Sequence, residues 1–167
     1  MNSIYSTFHS TMIARRASLL AFAGICALTT GSAGASEPAA SPQTIIETRQ
    51  QAYKKMGAAM KTIVDQLKSD APDSAKLSAA AAVISAGAQQ VLHWFPAGSG
   101  PEAGIETDAL PHIWQDRAKF DSIAHRLISA SKLLTAATSG ADSAAIKVQA
   151  KAVGDACSSC HRSFRAD

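Results

Sequence analysis

Cysteine is scarce in this 167-residue chain, three residues in all, too few for the disulfide framework that holds small secreted domains together. Histidine is thinly spread: His9, His93, His112 and His125 neither pair nor cluster, so a closed four-ligand zinc site lacks its second half. No stretch alternates apolar and polar residues as a strand does, which removes sheet architectures. No basic stripe with interleaved aromatics is present, and aromatics make up only 5% of the chain, which excludes a nucleic-acid partner. There is one apolar run, Ala17 to Leu28, and it is too short to cross a bilayer.

That run has another use. Arg15 and Arg16 precede it and Ala33-Gly34-Ala35 follows it, the order of a secretory signal with an A-x-A cleavage site. A start at Met12 keeps the whole signal. Residues 1–35 are therefore expected to be a signal peptide and 36–167 the mature domain, without a membrane span. Removal takes Cys26 and the two arginines, leaving 14 basic against 13 acidic residues, a net charge of +1 instead of +3. The exported chain then has two cysteines, and both lie in Cys157-Ser158-Ser159-Cys160-His161.

On a helix, side chains three and four apart share a face, so both thiols and the imidazole emerge together. Covalent haem attachment needs that arrangement: two thiols add to the porphyrin vinyl groups and the histidine ligates iron beneath the ring. A thioredoxin-like dithiol requires a preceding strand, and a plain disulfide leaves the histidine without a role. The motif predicts one covalent haem c, held by Cys157 and Cys160, with His161 as the proximal iron ligand. In an exported bacterial chain this places the protein in the periplasm.

The remaining sequence is helical in period. Ser41-Pro42 reads as an N-cap with proline at the first helical position, opening a helix to near Ser69 with Ile45, Arg49, Tyr53, Met56, Met60 and Ile63 on its stripe. Pro72-Asp73 opens a second, carrying Leu77, Ala81, Ile84, Ala88, Val91 and Phe95 as far as Pro96. Residues 97–110 have no apolar period and read as a long loop. Pro111 opens a third helix, which Gly140 ends, and Asp142 caps a fourth through Ile146, Ala150, Val153, Cys157, Cys160 and Phe164. The expected fold is all-α, an antiparallel four-helix bundle.

With a C-terminal haem motif on such a bundle, the chain resembles the class II cytochromes c, the cytochrome c prime group and its low-spin relatives. The matching residues are Arg49-Gln50, Trp94-Phe95-Pro96, Gly98-Ser99-Gly100, Ile113-Trp114, Phe120 and Cys157 to Arg165. A four-helix bundle is the architecture already known for that family. The resemblance implies that Arg49 sits by a haem propionate and that Arg165 flanks the proximal imidazole. It also implies pairing of two copies through the first two helices, which the alanines of the second helix permit.

One departure from the low-spin members bears on function. Those proteins carry a methionine ligand four residues after this arginine, with a glycine four further on. Here, between Arg49 and Gly57, the position holds Tyr53. A neutral phenol, with an ordinary pKa of about 10, is a poor iron ligand. The expectation is therefore five-coordinate, high-spin iron that binds a small gas such as nitric oxide or carbon monoxide and also exchanges single electrons with a redox partner protein. The alternative is a low-spin His/Met electron carrier, for which Met56, one turn beyond Tyr53, is the candidate ligand. No acid–base pair or distal histidine beside Arg49 points to an enzyme.

Overall fold

The computed structural model describes residues 40–140 and 142–166. The proposed signal peptide at 1–35 lies outside the described residues.

Helix α1 runs from Pro42 to Leu67. Its start is local chemistry: Pro42 takes the first position, and the Ser41 hydroxyl accepts the Thr44 N–H at 3.2 Å. Arg49, Met56 and Ile63 recur at seven and are buried, with Ile46 at the leading end. Ile46 is the fully buried member there, whereas Ile45, which the sequence pattern put on the stripe, is only half-buried. Both flank the same seam on the first turn, and three before Arg49 proves the inner position.

Helix α2 spans Ser74–Gln90, capped by Asp73, whose carboxylate accepts from Ala75 N and Lys76 N at 2.9 and 3.1 Å. It ends earlier than expected, tightening into a 3-10 turn at Val91–His93. Pro96 explains this, because proline biases the preceding residue away from helical geometry. Phe95 consequently reaches the core from the connection and is 5% exposed.

The third predicted helix is two. Helix α3 covers His112–Gln115 and α4 covers Arg117–Ser139, broken at Asp116 with φ −120° and ψ 60°. The Asp116 carboxylate accepts from Lys119 N at 3.2 Å, so a residue that fits the helical period serves instead as a new N-cap. Helix α5 spans Ser143–Phe164, with Asp142 accepting from Ala144 N and Ala145 N.

These elements form the antiparallel four-helix bundle that the sequence led us to expect. Helix α1 packs on α2, α2 on α4 and α4 on α5, whereas α1 and α5 hardly touch. Small residues such as Ala81 and Ala88 line the buried face of α2 and allow its neighbours to come close. Aromatic weight gathers at one end, where Phe95, Phe120 and Phe164 stack edge to face at 5.0 and 5.4 Å between centroids. The long loop between α2 and α3 turns through Gly98 (φ 78°) and Gly104 (φ 69°), left-handed positions that favour glycine. Among the described residues no helix is long and apolar enough to cross a membrane.

Candidate functional site

The open side of the bundle is a cavity of about 970 Å³ between α1 and α5, floored by α4 residues such as Phe120, Ile123 and Leu127. That volume lies at the upper end for small-molecule and cofactor sites. All seven residues singled out in the sequence line it: Arg49, Tyr53 and Met56 from α1, and Cys157, Cys160, His161 and Arg165 from α5 and its end.

On the α5 wall both cysteines are free thiols and half-buried. Burial pushes the Cys157 thiol above its ordinary value and Cys160 up to about 11. Both are therefore held as neutral thiols against an apolar cavity. His161 stands at the exposed rim, and partial desolvation, with the Arg165 guanidinium adding to it, pulls the imidazole below its usual value. The neutral form, which has a lone pair to offer a metal, is favoured. Arg165 donates its N–H to the His161 carbonyl at 3.2 Å and pairs with Asp108 at 3.5 Å.

The α1 wall centres on Arg49, which is 2% exposed. Its guanidinium donates to the Ser99 carbonyl (2.7 Å), the Ser99 hydroxyl (3.1 Å) and the Thr107 hydroxyl (2.8 Å), and lies 4.7 Å over the Phe95 ring. Burial lowers its pKa, yet arginine stays charged at neutral pH. Among the described residues no carboxylate comes within ion-pair distance of it. A buried guanidinium that lines the cavity and pairs with no carboxylate among the described residues is a place where an acidic group of a cofactor fits.

Tyr53 is held edge-on against Trp94, 5.1 Å between centroids at 77°, and lies 6.4 Å from Phe95. Burial drives its phenol far above the ordinary value, against a smaller opposing pull from Arg49. Met56 is 7% exposed and leans across to α2, where a Cβ on Gly87 would stand only 2.5 Å from its sulfur. His93, His112 and His125 are exposed and do not line the cavity.

The loop contributes partners that the sequence did not reveal. Ser99 and Thr107 hold Arg49 across 50 and 58 residues, and the Glu106 carbonyl accepts from Gln50 at 3.1 Å. The same loop pairs with the end of α5: Leu110 N donates to Phe164 O at 3.0 Å, and Ala166 N to Asp108 O at 2.8 Å. It thus straps α1 to α5 beside the cavity. Gly98-Ser99-Gly100 was among the matching residues, but nothing in an aperiodic loop marks Thr107 or Asp108 as partners.

Two thiols and a neutral imidazole on one wall, a buried guanidinium on the other and an apolar floor fit a porphyrin. Comparison with known proteins agrees. The family model described as cytochrome C′ matches residues 44–165. A cytochrome c′ of Rhodopseudomonas palustris is 36% identical over 123 residues, 73% of this chain and 82% of the relative. The crystal structure of cytochrome c′ from Thermochromatium tepidum superposes with a TM-score of 0.72 at 31% identity, covering 77% of this chain and 98% of that one. A second cytochrome c′ structure, of a protein with ligand-controlled dimer dissociation, gives a TM-score of 0.70 at 30% identity with the same coverage.

Proposed function

The chain belongs to the cytochrome c′ family and carries one covalently bound haem c, and from that premise we propose that it is a periplasmic, five-coordinate haem protein that takes up a small diatomic gas. Nitric oxide is the first candidate and carbon monoxide its laboratory counterpart. When bound, the haem would supply an iron with a one-electron couple and an affinity for diatomic gases. The chain's residues do the rest.

Cys157 and Cys160 would hold the ring edge covalently, and His161 would supply the proximal nitrogen, kept neutral by partial desolvation and the neighbouring Arg165. Arg49 would face the acidic edge of the ring, its direction set by Ser99 and Thr107. Tyr53, with Trp94 and Phe95 packed against it, would line the space beside the ring and favour small ligands there.

The observation that carries this reading is Tyr53 itself. It occupies the place where low-spin relatives are expected to present methionine, and its surroundings oppose ionisation, so it remains a neutral phenol with little affinity for iron. Exchange of single electrons with a redox partner is compatible with the same site, and the role assigned is binding and electron exchange rather than catalysis. Two copies would pair through the outer groove of α1 and α2, lined by Ala58, Ala79 and Val83.

An absorption spectrum of the purified ferrous protein tests the reading. A high-spin spectrum that converts on adding nitric oxide or carbon monoxide is expected. Sharp split bands of a low-spin His/Met species before any gas is added would overturn it in favour of an electron carrier, with Met56 the first ligand to examine.

A further inference from the structure

Gly87 lies in the interior of α2 with no positive φ to require it. A glycine there costs roughly 1 kcal/mol relative to alanine, so its presence calls for a packing reason. The reason is Met56 on the facing helix. A Cβ at position 87 would stand 2.5 Å from the Met56 Sδ, 2.8 Å from Cγ and 3.4 Å from Cε. The whole outer half of the thioether rests in the space a side chain would fill. By contrast, a Cβ on Gly154, likewise half-buried inside a helix, meets nothing closer than 3.9 Å.

Met56 also lines the cavity, three residues after Tyr53 on the same helix. Its side chain is flexible, and a thioether is a competent axial ligand for haem iron. Filling the seat would not break the helix pair, because the atoms in the way, Cγ outward, all belong to that flexible side chain and none to backbone. It would turn the sulfur out of the α1–α2 contact, and the open space beside it is the cavity.

We infer that Gly87 is a specificity-determining residue of the site: by seating the Met56 thioether against α2, it keeps a sulfur ligand away from the cofactor and leaves the axial position to gas. This role rests on the five-coordinate reading above. Gly87 and Tyr53 then act together, one withholding a strong ligand and the other presenting a weak one.

The test is Gly87→Ala in the haem-loaded protein. The ferrous spectrum should gain a low-spin component, and carbon monoxide uptake should slow about tenfold if the thioether occupies the position in nine of ten molecules. Gly87→Ala combined with Met56→Leu should restore both the high-spin spectrum and fast uptake, which a merely structural defect would not allow. A high-spin wild type whose Gly87→Ala variant matches it in spectrum and kinetics overturns this role alone. A wild type that is already low-spin overturns the five-coordinate reading and this role with it. Should Gly87→Ala not accumulate as folded protein, nuclear magnetic resonance of the carbon monoxide-bound wild type decides. Proximity of the Met56 methyl to the Gly87 α protons supports the seat, and proximity to the porphyrin instead overturns it.

Discussion

A single hydroxyl-bearing ring carries most of the functional argument. Tyr53→Met places a sulfur ligand where the phenol stands, and the ferrous protein should become largely six-coordinate and low-spin. Carbon monoxide uptake should then be limited by loss of the sulfur, read as slower stopped-flow traces that saturate with gas concentration; an unaltered spectrum would mean that residue 53 does not face the axial position. The same ring makes a pH prediction. Burial raises the Tyr53 pKa in the folded state, so the folded chain holds that proton more tightly than the unfolded one. The resulting stability is intact below the ordinary phenol value of about 10 and falls as pH rises above it. Tyr53→Phe should flatten that alkaline limb in urea titrations of the haem-loaded protein while leaving the neutral region unchanged in slope. Cys157, Cys160 and His161 could be singled out because their motif lies in short helical spacings, and Tyr53 only through the resemblance to the low-spin family members, whose register Arg49 and Gly57 mark. Gly87 was not, since its meaning lies in a side chain on another helix.

Three of the helices were legible at their starts because N-caps are local chemistry. Ser41, Asp73 and Asp142 each accept N–H groups from residues two or three further on, a relation contained in a few consecutive letters. The break at Asp116 was missed for the converse reason: Arg117, Phe120 and Ala124 continue the helical period across it, and only the backbone reveals that the aspartate caps a new start. The loop between α2 and α3 was the least legible element, though it binds the most distant parts together. Part of its hold on α1 runs through Thr107, whose hydroxyl accepts from the buried guanidinium at 2.8 Å. A hydrogen bond to a charged group contributes about 1.5–3 kcal/mol, and Thr107→Val keeps the shape while deleting that acceptor. A loss of that size in chemical denaturation is expected, with Thr107→Ser recovering most of it. If Thr107→Val is as stable as wild type, the loop's hold on α1 runs through Ser99 and Glu106 instead.

At the scale of the molecule, the outer face and the inner gap make separate predictions. Val83 is 43% exposed on the α1–α2 groove, so Val83→Asp should shift the sedimenting species from dimer toward monomer without altering the haem spectrum. A wild type that is monomeric at high concentration removes the pairing proposal. The inner gap decides how the chain depends on its cofactor. Helices α1 and α5 hardly meet, and the space between them is about 970 Å³. Without the cofactor this open gap leaves apolar residues such as Ile123 and Leu127 lining water instead of a packed neighbour, and burying them is what stabilises a core. The haem-free chain therefore hydrates this face or rearranges to cover it. The thiols point the same way: folded around the cavity they are neutral, with Cys160 at about 11, so attachment through a thiolate is better served before the bundle closes. Replacing both Cys157 and Cys160 by alanine should give a protein that keeps far-ultraviolet helicity, loses near-ultraviolet dichroism, binds a hydrophobic dye and melts without a sharp transition. Retention of a cooperative melt and of near-ultraviolet signals would mean that α1 swings onto α5 and packs a core of its own, and that the ring is a guest in this bundle instead of its centre.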